Sequence, residues 1–342
     1  MRGVAYLGDR RVEVREYPRP VPNAGEVLIE MRAAGLCGSD LHKYRKNAAW
    51  ADARNGMIAG HEPSGVVSAL GPGVTGIEVG DRVSVYHSLG CGRCGFCVSG
   101  TPVLCREEGA FGRTRDGCHA DFMTAPARFC LPLPDDMSFA LGAMLSCTAG
   151  TAFSAVQKLP ILPGDIALVI GLGPVGLSVA MIAEAHGFRC IGADVNPIRL
   201  DLARKCLDGS VVDASEDRLV ESVLEVTGGE NISGIIECSG NASARTQTTQ
   251  LIATRGTIVI VGAGSDSLNL DPDAIIRREL AIRGNAVYSM RQYYQTIDVL
   301  RNRRIDLESI VTHRVPIDEA TTMFAQFDSG KTGKVVFEWP GS

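Results

Sequence analysis

The sequence predicts a two-part α/β protein, a β-rich part followed by a doubly wound parallel sheet, and three observations predict it. At 342 residues the chain exceeds what one hydrophobic core usually organises. The stretch up to about Thr148 carries short, β-branched runs separated by turn signals and reads as β-rich. From about Gly150 apolar strands alternate with longer amphipathic stretches, the rhythm of a parallel sheet covered by helices on both faces.

In the first part the strands are Arg11 to Glu16, Glu26 to Glu30, Ser64 to Ala69 and Asp81 to Tyr86, with Gly71-Pro72-Gly73 and Gly80-Asp81 marking turns. In the second, Ile166 to Ile170, Cys190 to Ala193, Gly234 to Cys238 and Thr257 to Gly262 read as buried parallel strands. Helical periodicity fits Val175 to His186, Pro197 to Cys206 and Arg218 to Val226. A helix over Arg291 to Arg301 and a strand from Lys334 to Phe337 follow.

Composition narrows the function. With 45% hydrophobic and 21% charged residues the chain has the make-up of a folded soluble protein. The net charge of −5 is spread without a long run of one sign, which argues against a nucleic-acid surface and leaves small molecules as the expected partners. Met1 to Arg10 lacks an apolar core of signal-peptide length, so a cytoplasmic protein is expected. Ile166 to Ala183 is uncharged and long enough to imitate a membrane span. Gly171, Gly173, Pro174 and Gly176 cut it into strand, turn and helix, so no membrane association is expected.

That same run carries a dinucleotide signature. Strand Ile166 to Ile170 leads into Gly171-Leu172-Gly173-Pro174-Val175-Gly176, then a helix, then a strand ending in Asp194. Gly171 permits the tight turn, Gly173 lets backbone amides approach a pyrophosphate, and Gly176 allows close helix packing. The N–H groups at the start of the helix, after Pro174 and Val175, then face the phosphates. Asp194 suits the adenosine ribose hydroxyls and repels a 2′-phosphate, which favours NAD over NADP. Arg199 points the other way if it pairs with a phosphate, or is neutral if it stacks beside the ribose.

Eleven cysteines in such a chain suggest metal before disulfides. Cys91, Cys94, Cys97 and Cys105, punctuated by Gly and Pro, suit a closed tetrahedral zinc with no open position. The spacing departs from that of ferredoxin clusters. A second set is dispersed: Cys37 with Ser39, Asp40 and His42, then His61-Glu62, then Cys147. Spacing alone does not join these, and each has an ordinary reading as a small core residue, a turn serine or a satisfied histidine.

Taken together and in order, these stretches resemble the medium-chain zinc alcohol dehydrogenases over essentially the whole chain. The resemblance implies a GroES-like catalytic domain from residues 1–149 and 288–342, with a structural-zinc lobe at 88–108. A Rossmann domain over 150–287 is inserted between. It implies Cys37, His61 and Cys147 as catalytic zinc ligands, with Glu62 beside the metal as an alternate ligand during exchange or an adjacent charge, and Asp40 orienting His61. It casts Ser39 as the group that takes the alcohol proton and passes it through the nicotinamide ribose toward His42. It places Lys334 on the cofactor pyrophosphate, although a solvated lysine fits the sequence nearly as well.

Two zincs and NAD are therefore expected as cofactors, and a secondary or polar-substituted alcohol as substrate. A polyol, sugar or amino-alcohol dehydrogenase on the same scaffold is the alternative, and a non-catalytic zinc and cofactor-binding protein a further one. His87, Trp50, Phe111 and Arg113 are candidates for the pocket mouth. Cys118 and His119 stand where relatives tend to have Gly and an aromatic residue. Family members of this length also imply a homo-oligomer, tetramer or dimer, joined through the sheet edge near Leu280 to Val287.

Overall fold

The computed structural model describes residues 1–264 and 270–341, and it divides into two units. One comprises 1–148, 289–293 and 311–342; the other comprises 149–288 and 294–310. The segment 294–310, which the sequence reading gave to the catalytic domain, clusters with the second unit. The reason is packing: the short turn Leu307–Ile310 lies on helices Pro174–Ala185 and Pro197–Cys206 and buries Leu307 and Ile310.

The first unit is built on a seven-stranded sheet. Strands Val311–Val315, Lys334–Glu338, Glu26–Leu36, Glu62–Leu70, Arg82–Val85 and Cys130–Pro132 lie side by side, and Phe122–Pro126 also pairs with Glu26–Leu36. All pairs but the first are antiparallel. Lys334–Glu338 completes this sheet by pairing Val335 with Leu36 and Val336 with Gly35. A separate hairpin joins Arg2–Gly8 to Arg11–Glu16, and a small two-stranded sheet, Ser88–Leu89 with Gly109–Ala110, brackets the cysteine-rich lobe.

The second unit is a six-stranded parallel sheet in the order Ser210–Asp213, Arg189–Asp194, Ile166–Ile170, Ile232–Glu237, Ile252–Ile260, Ala281–Gly284. That is the third, second, first, fourth, fifth and sixth strand of the unit, the doubly wound order whose reversal leaves a crevice at the carboxyl ends. Its core holds Leu168, Ile170, Ile191, Val212, Ile235 and Ile258. All five residues of Ile166–Ile170 are buried, which is why that strand reads as a continuous apolar run. The imitation membrane span is this strand followed by the twelve-residue helix Pro174–Ala185. Among the described residues no single helix is long and apolar enough to cross a membrane; Phe139–Ser146 and Thr148–Val156 reach that length only together, across a sharp bend.

Candidate active site and metal centres

Two strand ends assemble the first metal centre. Strand Glu26–Leu36 stops one residue before Cys37, and strand Glu62–Leu70 starts one residue after His61. Because Gly35 pairs with Glu62 in antiparallel register, Cys37 and His61 fall together just beyond the paired residues. Cys37 caps helix Gly38–Tyr44, where Asp40 accepts a hydrogen bond from the Cys37 backbone N–H at 3.1 Å. Cys147 ends helix Phe139–Ser146, which packs on both strands. Gly142 permits that approach, since a Cβ there would lie 2.4 Å from Ser64 Oγ. Gly60, just before His61, has φ of +91° and would bring a Cβ within 2.3 Å of the His119 ring, so only glycine fits.

The ligand atoms of Cys37, His61, Glu62 and Cys147 all lie within 4.8 Å of one another, and all four residues are buried. Asp40 Oδ1 sits 2.9 Å from His61 Nδ1, which assigns the Nδ1–H as donor and leaves Nε2 for a metal. The Tyr6 hydroxyl donates to the same carboxylate at 3.3 Å. Burial works against a charged His61, but Asp40 and Cys37 outweigh it and push the imidazole up to about 10. Burial likewise opposes ionisation of Asp40, yet His61 holds that carboxyl well below the usual range. The hydrogen bond between the two thiols pulls Cys37 well down and Cys147 well up. Two sulfurs and one imidazole, with the carboxylate adjacent, are a donor set that suits zinc and keeps one position open.

Glu62 is engaged on both oxygens. Thr148 Oγ1 donates to Oε1 at 2.8 Å, and Lys334 Nζ is in direct contact with Oε2. Lys334 also donates to Leu36 O and Thr148 Oγ1, each at 3.1 Å. Lys334, which the family resemblance sets on the cofactor pyrophosphate, is held by Glu62 in this structure. Its side chain is wholly buried, and its three ammonium protons are taken by protein acceptors. Burial pushes the Glu62 carboxyl up, to about 7, with Lys334 pulling against it. Gly35 makes room for the pair, since a Cβ there would strike Glu62 Oε2. Thr148 was not singled out from sequence; as an ordinary threonine after Cys147 it carries no signal.

The second centre is local. The sulfurs of Cys91, Cys94, Cys97 and Cys105 lie within 4.8 Å of one another, with Cys91 and Cys97 Sγ 4.0 Å apart. A tetrahedral zinc with bonds of about 2.3 Å spaces its sulfurs at about 3.8 Å, so the four thiols fit that ion. Backbone N–H groups of Arg93 and Cys94 pull the Cys91 thiol down to about 6, the usual preparation of a thiolate ligand.

In the parallel unit, Gly171 has φ of +89° and packs against Ser239, while a Cβ on Gly176 would lie 1.7 Å from Gly171 O. Helix Pro174–Ala185 starts at Gly173 with no side-chain cap, so its first N–H groups face outward for phosphate. Asp194 Oδ2 accepts from Leu172 N at 2.6 Å, and Oδ1 accepts from Val195 N and Asn196 N at 2.8 and 2.9 Å. Arg199 Nη1 lies 3.7 Å from Asp194, its Nε is buried without a partner, and its guanidinium borders Gly173.

Ser39 Oγ stands 3.1 Å from His61 Nε2 and 3.5 Å from Cys37 Sγ, and exposed His42 follows on the same short helix. Of the four pocket candidates, the structure brings only His87 to the metal ligands. Its ring meets His61 edge-on at 5.2 Å, and its Nδ1–H donates to Ser146 O at 2.8 Å. Trp50 instead stacks under Arg54, Phe111 is buried beneath Arg115, and Arg113 pairs with Glu108. His119 now has an account: it stands edge-on to Phe324 and Phe337, as an aromatic residue would, and its Nε2–H donates to Gly35 O at 3.1 Å.

Comparison with known proteins agrees with this geometry. Residues 23–135 match the alcohol dehydrogenase GroES-like domain, and residues 174–302 match the zinc-binding dehydrogenase family. The chain is 36% identical to the zinc-type alcohol dehydrogenase-like protein YphC of Escherichia coli K12, over 98% of each chain. It is 32% identical to the L-threonine 3-dehydrogenase of Idiomarina loihiensis, over 94% of each. An alcohol dehydrogenase from E. coli CFT073, solved with NADH, matches 99% of each chain at a TM-score of 0.89 and 26% identity. Relatives that span nearly all of the chain, and two family matches that fall on its two chemistries, lead to one conclusion: it belongs to the zinc-dependent medium-chain dehydrogenase family of the alcohol dehydrogenase type.

Proposed function

We propose that the protein transfers hydride between a secondary or polar-substituted alcohol and NAD, giving a ketone or aldehyde. The observation that carries this is the buried cluster of Cys37, His61 and Cys147, with His61 fixed by Asp40 and Glu62 held aside by Lys334. Zinc in that cluster supplies Lewis acidity, which makes an alcohol hydroxyl acidic near neutral pH. Ser39, whose hydroxyl borders the same ligands, would accept the alcohol proton as its own hydroxyl proton is released toward His42, which is exposed on the same helix and would hand a proton to solvent. The Gly171–Gly176 turn would hold NAD, which would supply the hydride-accepting chemistry. Asp194 favours NAD over its 2′-phosphate form, and Arg199 leaves some tolerance for NADP.

His87 supports a substrate with a second polar group. Burial pulls its pKa down to about 4, so near neutrality the ring is uncharged and its Nε2 is an acceptor beside the metal ligands. The likeness to L-threonine 3-dehydrogenase favours an amino alcohol as the second reading, and a 32% identical sorbitol dehydrogenase favours a polyol. Strand Ala281–Gly284 has a sheet neighbour on one side only among the described residues, which supports a homo-oligomer paired along that edge.

Metal analysis, coupled to a panel of simple alcohols, polyols and amino alcohols read by NADH and NADPH formation, tests the proposal. Two zincs per chain and NADH from one class support it. One zinc and no turnover with any class would refute it.

A further inference from the structure

The N-terminal hairpin lies outside the seven-stranded sheet, yet it reaches the first metal centre twice. Its first strand, Arg2–Gly8, pairs with the segment that leads into His61: Ala59 N donates to Val4 O at 2.8 Å, and Ala5 stands opposite Ile58. Two residues beyond Val4, Tyr6 donates its hydroxyl to Asp40, the carboxylate that orients His61. One strand thus holds His61 through the backbone before it and through the acid beside it.

Tyr6 is 4% exposed, and among the described residues its hydroxyl has Asp40 Oδ1 as its one hydrogen-bond partner. Its ring meets Trp50 and Phe324 edge-on, with centroids 6.0 and 6.1 Å away. Phenylalanine would make the same ring contacts and bring no polar atom into the interior, so the packing requires no hydroxyl. The carboxylate has a use for one. Oδ2 accepts from Cys37 N at 3.1 Å and Oδ1 from His61 Nδ1 at 2.9 Å, which leaves a lone pair on Oδ1. Tyr6 takes it at 3.3 Å, while the Lys43 ammonium, at 3.6 Å, stands beyond hydrogen-bond reach. A phenol is protonated near neutrality, so toward a carboxylate it can only donate.

Resting on the reading that this centre holds zinc, we propose that Tyr6 is a positioning residue for the metal: it pins the Asp40 carboxylate, and through it the ring of His61. It makes no hydrogen bond to a metal ligand and acts through Asp40 alone. Cys37 N holds the carboxylate from its own helix; Tyr6 holds it from a separate strand, so the two anchors together remove the freedom of Oδ1 to swing away from His61.

The test follows zinc release into an excess of a chromophoric chelator from the zinc-loaded full chain and from Tyr6→Phe, Asp40→Asn and the double variant. The Cys91–Cys105 zinc serves as internal reference in each protein. Tyr6→Phe keeps the ring contacts and is expected to release the first zinc about threefold to tenfold faster, a smaller effect than that of a direct partner of the histidine, with the second zinc at the parent's rate. Because Tyr6 acts through the Asp40 charge, its effect should shrink below about twofold once Asp40 is Asn. Release of the first zinc at the parent's rate, equal acceleration of both zincs, or full additivity in the double variant overturns the positioning role, whatever happens to Tm. A parent chain that holds only the Cys91–Cys105 zinc overturns the reading of the first centre itself, which is a separate result.

Discussion

Asn at position 40 keeps the shape of Asp40 and removes its charge, and the structure says what that costs. The carboxylate accepts from Cys37 N, His61 Nδ1 and the Tyr6 hydroxyl at 3.1, 2.9 and 3.3 Å, with the Lys43 ammonium 3.6 Å away. An amide has one acceptor oxygen, so one of these donors ends up facing an NH₂ group. Losing one hydrogen bond to a buried charge costs about 1.5–3 kcal/mol. Outer partners of a metal-bound histidine carry about 10–100-fold in metal affinity, which agrees with that energy. Asp40→Asn is therefore expected to weaken the first centre and leave the Cys91–Cys105 centre as an internal reference. Graded chelator followed by zinc counting reads this directly. Over an intermediate range the parent should retain two zincs and the variant one, with activity falling in step. Identical release curves for the two proteins would refute the argument that Asp40 sets the ligand.

Lys334→Met leaves Glu62 buried beside the thiols without its cation, and is expected to cost about 3–5 kcal/mol in urea denaturation; an unchanged midpoint would count against the pair. His119 gives a pH signature. Burial holds it down at about 4 against 6.5 when unfolded, so its contribution is present above 6.5 and lost as pH falls toward 4, by about 3 kcal/mol. His119→Phe should flatten urea stability across that window, and a slope equal to the parent's would contradict the assignment. Asp194→Ala should shift preference toward NADPH, with Arg199 free to meet the extra phosphate; an unchanged ratio of NADH to NADPH formation would remove both residues from coenzyme choice. Cys97→Ser should lower the metal content by one zinc and expose 88–108 to protease, an effect that activity alone would not reveal.

Local signals were legible in the sequence and long-range ones were not. The four cysteines at 91–105 and the glycines at 171–176 act within a few residues of one another, so spacing carries their chemistry. Cys37, His61 and Cys147 come from three elements, and only family resemblance joined them before the strand register showed why they meet. The pairing of Lys334 with Glu62 was not legible, because nothing in Gly333-Lys334-Val335 reports that the strand pairs beside Leu36. Helix Ala242–Leu251 escaped notice because its threonines and lone buried Arg245 give it no apolar stripe; its start is set by Asn241, whose side chain accepts from Ala244 N. Strand Ala281–Gly284 is short and ends in charge and glycine, so its pattern is weak.

The Lys334–Leu36 contact joins residues 298 positions apart, so the sheet beside the first metal centre draws on distant parts of the sequence. On the ribosome, the parallel unit has all its strands before Lys334 exists, and domains fold as units while synthesis proceeds. The sheet that carries Cys37 and Glu62 has an open edge until Lys334–Glu338 arrives, and Glu62 has no cation until then. A chain cut short of that strand carries every zinc ligand and still lacks the catalytic unit's closing edge. Without that strand all four residues of the first centre are present, yet Gly35 and Leu36 lack their antiparallel partners and Glu62 lacks its buried cation.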